Sequence, residues 1–173
     1  MSTPSDKRFR KIAGKMALEL EQAVDDLGQC ERDDDYEISM GTWHDPDVRE
    51  DGDGGTEEIC YVCLAGAWLA KSKYADASLF LSPIRTKKKT GRIMNALDDL
   101  HIGALAGAFR YRMKEKECDR EDARNWLEKS GIGPSYMDSI PEYEEDPNQF
   151  KHAMRDIART LRMLSTRPIG ETK

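Results

Sequence analysis

Apolar residues recur three and four positions apart at Phe9, Ile12, Ala13, Met16, Leu20, Ala23, Val24 and Leu27. That spacing predicts a helix from about Ser5 to Leu27 with one buried stripe, and Gly28 stands where it would stop. The same period at Phe150, Met154, Ile157, Leu161 and Leu164 predicts a final helix from about Pro147 to Leu164. Ile93, Met94, Leu97 and Leu100 mark the inner side of another helix starting near Thr90. A small-residue tract, Gly103–Ala108, leads on into a charged helical tail reaching about Lys116, with Gly103 either breaking that helix or sitting inside it. A short helix begins at Asp119 or Asp122, carries Trp126 and Leu127, and closes in Ser130–Pro134.

The pattern centres on Thr56–Lys73. No residue from Ile59 to Ala70 is charged, in a chain that is 35% charged. The run is too short to cross a bilayer, which takes about 20 apolar residues. As a helix it is about 18 Å long, enough to thread a small domain. Thr56 is placed to cap it, Glu57 and Glu58 suit its first turn, and Cys63, Gly66, Ala67 and Ala70 line a narrow side for a close helix crossing. Leu-Ala-Gly-Ala occurs both at Leu64–Ala67 and at Leu105–Ala108, which fits two closely packed helices.

Residues 29–55 form a long acidic loop, in which Tyr36, Ile38, Met40 and Trp43 are spaced for a short extended piece. Residues 74–83 make a connection, and 135–147 make a turn-rich linker. With three valines and ten isoleucines and no alternation, sheet content is expected to be small. The expected fold is a single all-α domain over residues 1–173, a compact bundle of about five helices around the Thr56–Lys73 helix.

Charge changes this picture more than composition does. The net charge is −6, yet residues 1–15 carry +4 and residues 16–60 carry −14. Within the first helix the cations Lys7, Arg8, Arg10 and Lys11 precede the acids Glu19, Glu21, Asp25 and Asp26. The helix dipole favours the opposite order and so does not explain it. No apolar export segment or membrane span occurs, and four cysteines without a secretion signal suggest reduced thiols in a cytoplasm.

Candidate chemistry is sparse. No strand-helix-strand pattern surrounds Cys60-x-x-Cys63 as it would a redox pair, and its flanking glutamates oppose a thiolate. Cys30, His44, Cys60 and Cys63 form a ligand set of the type zinc accepts, but without a second closely spaced pair. The bland alternative is thiols used as small apolar groups. Asp47, Asp51, Gly52 and Glu58 follow part of a calcium-loop pattern, which Arg49 and Pro46 break. His44, His101 and His152 have no nucleophile beside them in sequence, so no catalytic residues, metal or cofactor are expected. Arg85, Lys87, Lys88, Lys89 and Arg92 could meet a phosphate or small ligand at a helix start. Asp33, Asp34, Asp35, Trp43, Asp45, Asp47, Asp51 and Asp53 make an acidic surface suited to a basic partner.

Cys60-Tyr-Val-Cys-Leu-Ala-Gly-Ala67 resembles a segment of a group of small tailed-phage and prophage proteins that carry Cys-x-Val-Cys-Leu-Ala-Gly-Ala. Met40-Gly-Thr-Trp43, Ala96-Leu-Asp-Asp-Leu100 and Phe150-x-x-x-Met154-x-x-Ile157-Ala158 are similar to their other shared segments, while His101 stands where Arg is the rule. The resemblance implies a phage context without an activity. The expectation is a non-enzymatic accessory protein in the cytoplasm of an infected cell. It would bind a host protein, for instance one with a basic nucleic-acid-binding surface, without membrane contact and without touching nucleic acid directly. The alternative is a helical metal- or small-ligand-binding protein using the Cys/His set or the Lys87–Arg92 turn.

Overall fold

A computed structural model describes residues 4–40, 44–71, 102–113 and 120–166. Among them the elements run α1 (Pro4–Cys30), β1 (Tyr36–Ile38), β2 (His44–Glu50), β3 (Thr56–Val62), α2 (Leu64–Ala70), α3 (Ile102–Met113), α4 (Arg120–Lys129), α5 (Pro134–Met137) and α6 (Pro147–Thr166). The strands form one mixed sheet in the order β1-β3-β2, with β1 parallel and β2 antiparallel to β3. The fold is therefore α+β, not the all-α bundle expected from the apolar periodicity.

The corrected element is the central helix. Over residues 56–71 the chain runs as strand β3, turns at Cys63, and becomes helical for Leu64–Ala70. Ile59, Tyr61 and Val62 are β-branched or aromatic and fit a pleated surface. Cys60 and Val62 are both fully buried and join the main core. Two residues apart, they share a strand face, whereas a helix would turn them about 200° from each other. Thr56, Glu57 and Glu58 are exposed and pair with β2 instead of capping a helix.

The organising element is instead α1, on which α2, α3, α6 and β1 all pack. It runs past Gly28 because Leu27 and Cys30, both 0% exposed, carry its buried stripe to the end of the helix. Both Leu-Ala-Gly-Ala tracts belong to helices that lie against it. Gly103 sits inside α3, and Arg120 grips its carbonyl oxygen from α4 at 2.9 and 2.6 Å. α4 stops at Gly131, whose φ of 89° suits a glycine cap, and Ile132 N–H closes the end on Leu127 O at 2.9 Å. The helix expected from Thr90, the 74–83 connection and the tail beyond Met113 lie outside the described residues.

The α1–α6 seam explains the charge order that the dipole does not. A Cβ on Gly14 would stand 3.0 Å from that of Ser165, so the two helices approach closely there. Further along, Glu21 pairs with Arg162, Asp25 with Arg155 at 3.3 Å, and Glu31 with Lys151 at 2.6 Å. The Tyr143 hydroxyl also donates to Glu31 at 2.6 Å, pinning the linker. Part of the acidic block thus serves folding. No described helix is long and apolar enough to cross a membrane.

Candidate functional site

The acidic run at 33–35 is a turn, and its three carboxylates have different fates. Asp33 N–H bonds Cys30 O, and Tyr36 N–H returns to Asp33 O at 3.0 Å, so the chain reverses from α1 into β1. Asp33 Oδ1 accepts Asp35 N–H at 3.3 Å, the local bonding that favours aspartate in turns. Its other oxygen takes Lys71, whose Nζ also lies 4.3 Å from the centre of the Tyr36 ring. Asp33 is therefore a structural clasp, while Asp34 and Asp35 are exposed.

Lys71 holds the Asp33 carboxyl below the usual carboxylate range, chiefly through their hydrogen bond. A depressed pKa gives stability above the unfolded value that disappears as pH falls through the folded one. Asp33→Asn should then lower the melting point at pH 7 by the equivalent of about 1 kcal/mol, the usual ceiling for a partly exposed pair. The gap should close below roughly pH 3.9. Melts from pH 7 to pH 2 check this, and a gap that persists at pH 2 would assign the loss to something other than charge.

Asp51 is a second structural carboxylate. Its Oδ1 accepts the N–H groups of Asp53 at 3.0 Å and Gly55 at 2.6 Å, and Gly54 takes φ 83°. The partial calcium-loop pattern is thus the tip of a β2–β3 hairpin, and Asp53 is exposed on it.

Strand register assembles the remaining acids. Glu37 and Asp45 lie on either side of Tyr61, and Asp47 lies beside Ile59. With Glu57 these side chains share the sheet face turned away from α1, since Cys60 and Val62 fill the other. Arg49 reaches across this face, bonding Glu57 and, at 3.3 Å, Glu37. Among the described residues no cation pairs with Asp45 or Asp47; Asp47 accepts only the N–H of Val48, at 2.8 Å. Glu37 and Glu57 belong to this face and were not singled out by sequence. The signal was the strand alternation of Tyr36–Ile38 and Thr56–Val62, hidden because the two segments lie far apart in the chain.

Among the described residues β2 is an edge strand, and its outer side is guarded. Asp51 N–H to Gly55 O and Cys60 N–H to Asp35 O fix the phase of the ladder, so the nitrogen of Pro46 faces away from β3. An edge position without an N–H discourages pairing with another strand. Interaction through this face would use side chains, not added backbone.

The thiols lie beneath the sheet. Cys30, Cys60 and Cys63 are buried and free. Burial pushes the Cys30 thiol up to about 12 against the pull of Lys71, and pushes Cys60 to about 11. Burial thus disfavours the thiolate form of both. His44 sits on β2 opposite Val62. Among the described residues, no three His, Cys, Asp or Glu side chains gather closely enough to hold a metal. Trp43, His101, Arg85, Lys87, Lys88, Lys89 and Arg92 lie outside the described residues, and His152 is exposed on α6 beside Asp156.

Comparison with known proteins finds no matching family model, curated protein or solved structure.

Proposed function

We propose that this chain is a non-enzymatic binding protein whose acidic sheet face engages a basic surface on another protein. The observation that carries the reading is the pair Asp45 and Asp47, exposed, with no cation paired to either among the described residues, and flanked by Glu37 and Glu57 on a face whose edge strand has Pro46 in place of an outward N–H. Carboxylates left unneutralised contribute little to folding but speed encounter with a cationic partner. The resemblance to small phage proteins suggests a host protein as that partner, and a nucleic-acid-binding surface is the basic surface an acidic face can imitate.

Capture from bacterial lysate, run with the wild type and with Asp45→Asn/Asp47→Asn, tests the reading. The double variant should fold with a stability change below about 1 kcal/mol, since its charges are exposed. It should capture less of any specific partner, and duplex DNA added to the lysate should displace that partner from the wild type. Equal capture by both proteins, or capture indifferent to DNA, removes the sheet face from the function.

A further inference from the structure

The other end of α1 carries the opposite charge. Lys7, Lys11 and Lys15 are exposed and stand one turn apart in a single row, about 6 Å between neighbours along the axis. Glu19 ends the row one turn on, and beside it stands Leu18, 61% exposed and the most open of the large apolar side chains described. None of the three lysines has an ion-pair partner among the described residues.

Two physical points separate this row from ordinary surface charge. The acids that follow on α1, Glu21 and Asp25, are matched by Arg162 and Arg155 of α6, so their place against the dipole is compensated inside the fold. The lysines stand in the dipole-unfavourable half, and Lys7 in the first turn, with no such compensation among the described residues. The net charge of −6 does not silence them either. The acidic turn after Cys30 lies about 28 Å from Lys11 along the helix, well beyond the screening length of about 10 Å at 0.1 M salt, whereas Glu19 lies one turn from Lys15 and bounds the row at its inner end. Among the described residues, α1 is therefore basic over its first turns and acidic beyond Leu18.

We propose that the Lys7, Lys11 and Lys15 row is a second contact surface, made for the phosphate backbone of nucleic acid. Evenly spaced lysines act as point charges on phosphate. A convex helix face without an arginine fork or aromatic ring in the row reads backbone and not bases, so the contact is independent of sequence. It is separate from the acidic sheet face and does not rest on the role given to that face.

Fluorescence anisotropy with a labelled 20-base-pair DNA duplex of mixed sequence, from 50 to 200 mM salt, tests it. The wild type should bind at 50 mM, and its affinity should fall steeply with salt. Neutralising three phosphate contacts in Lys7→Gln/Lys11→Gln/Lys15→Gln should reduce the slope of log affinity against log salt by about 3, and Lys11→Gln alone by about 1. Melting curves of these surface variants should match the wild type. No binding at 50 mM, an unchanged slope in the triple variant, or polyglutamate bound as tightly as the duplex overturns the proposal, the last pointing to an acidic protein instead.

Discussion

Phe9→Ala is expected to cost about 3–5 kcal/mol, the range for removing a fully buried aromatic side chain. Phe9 is 0% exposed, and its ring centre lies 5.0 Å from that of Phe109 and 4.4 Å from that of Trp126. One side chain near the start of α1 thus ties together α3 and α4, which otherwise hold each other. Aromatic pairs at these separations add about 0.5–1.5 kcal/mol each beyond the area they bury. Against a typical stability of about 5–15 kcal/mol the loss would remove a large share of the whole. Urea unfolding followed by tryptophan fluorescence checks it. A loss under about 1 kcal/mol would mean that α3 and α4 do not pack on α1 through this residue.

How far the sequence could be read depended on the length of the pattern. α1 and α6 carry their apolar stripes over several turns, and their positions follow from Phe9–Leu27 and Phe150–Leu164 within a few residues. β3 carries its signal over four residues, Ile59 to Val62, of which only Tyr61 is not buried. A strand with nearly continuous apolar character does not alternate, and joined to the uncharged start of α2 it imitates a helix. The acidic surface named from sequence included Asp45 and Asp47 but not their grouping with Glu37 and Glu57, for a related reason. The group's members come from three strands, and only pairing brings Glu37, Asp45 and Asp47 together. A run such as Asp33–Asp35 looks like the denser cluster in one dimension. In three dimensions it is a turn whose first residue is spent on Lys71.

Charge order is the opposite case, legible as an anomaly but not as an explanation. The reversal along α1 is visible in the sequence, whereas its acidic half makes sense only once α6 lies antiparallel beside it. Arg162, Arg155 and Lys151 meet Glu21, Asp25 and Glu31 in reversed sequence order, as antiparallel neighbours must. The same pairing leaves Asp45, Asp47 and the α1 lysines as charges that the described fold does not pair, and for that reason both functional proposals fall on them.

Val62→Asp should be as damaging as Phe9→Ala, and it tests the strand directly. Val62 is 0% exposed, and its neighbours in register are Ile38 on β1 and His44 on β2. A carboxylate there would be buried without a partner, at a cost on the order of 3–5 kcal/mol. Cys60→Asp should be comparably severe, because Cys60 is equally buried and lies on the same strand face. Tyr61→Asp should be much milder, about 1–2 kcal/mol, since Tyr61 points to the half-open acidic face beside Glu37 and Asp45. The alternation severe, mild, severe at 60, 61 and 62 belongs to a strand. In a helix through Thr56–Lys73, residues 60 and 62 lie about 200° apart and cannot both face the core. Urea midpoints of the three single variants, measured at one pH above 6 so that each new carboxyl is ionised in the unfolded chain, decide between the two. A mild effect at either 60 or 62 would return this segment to the helix.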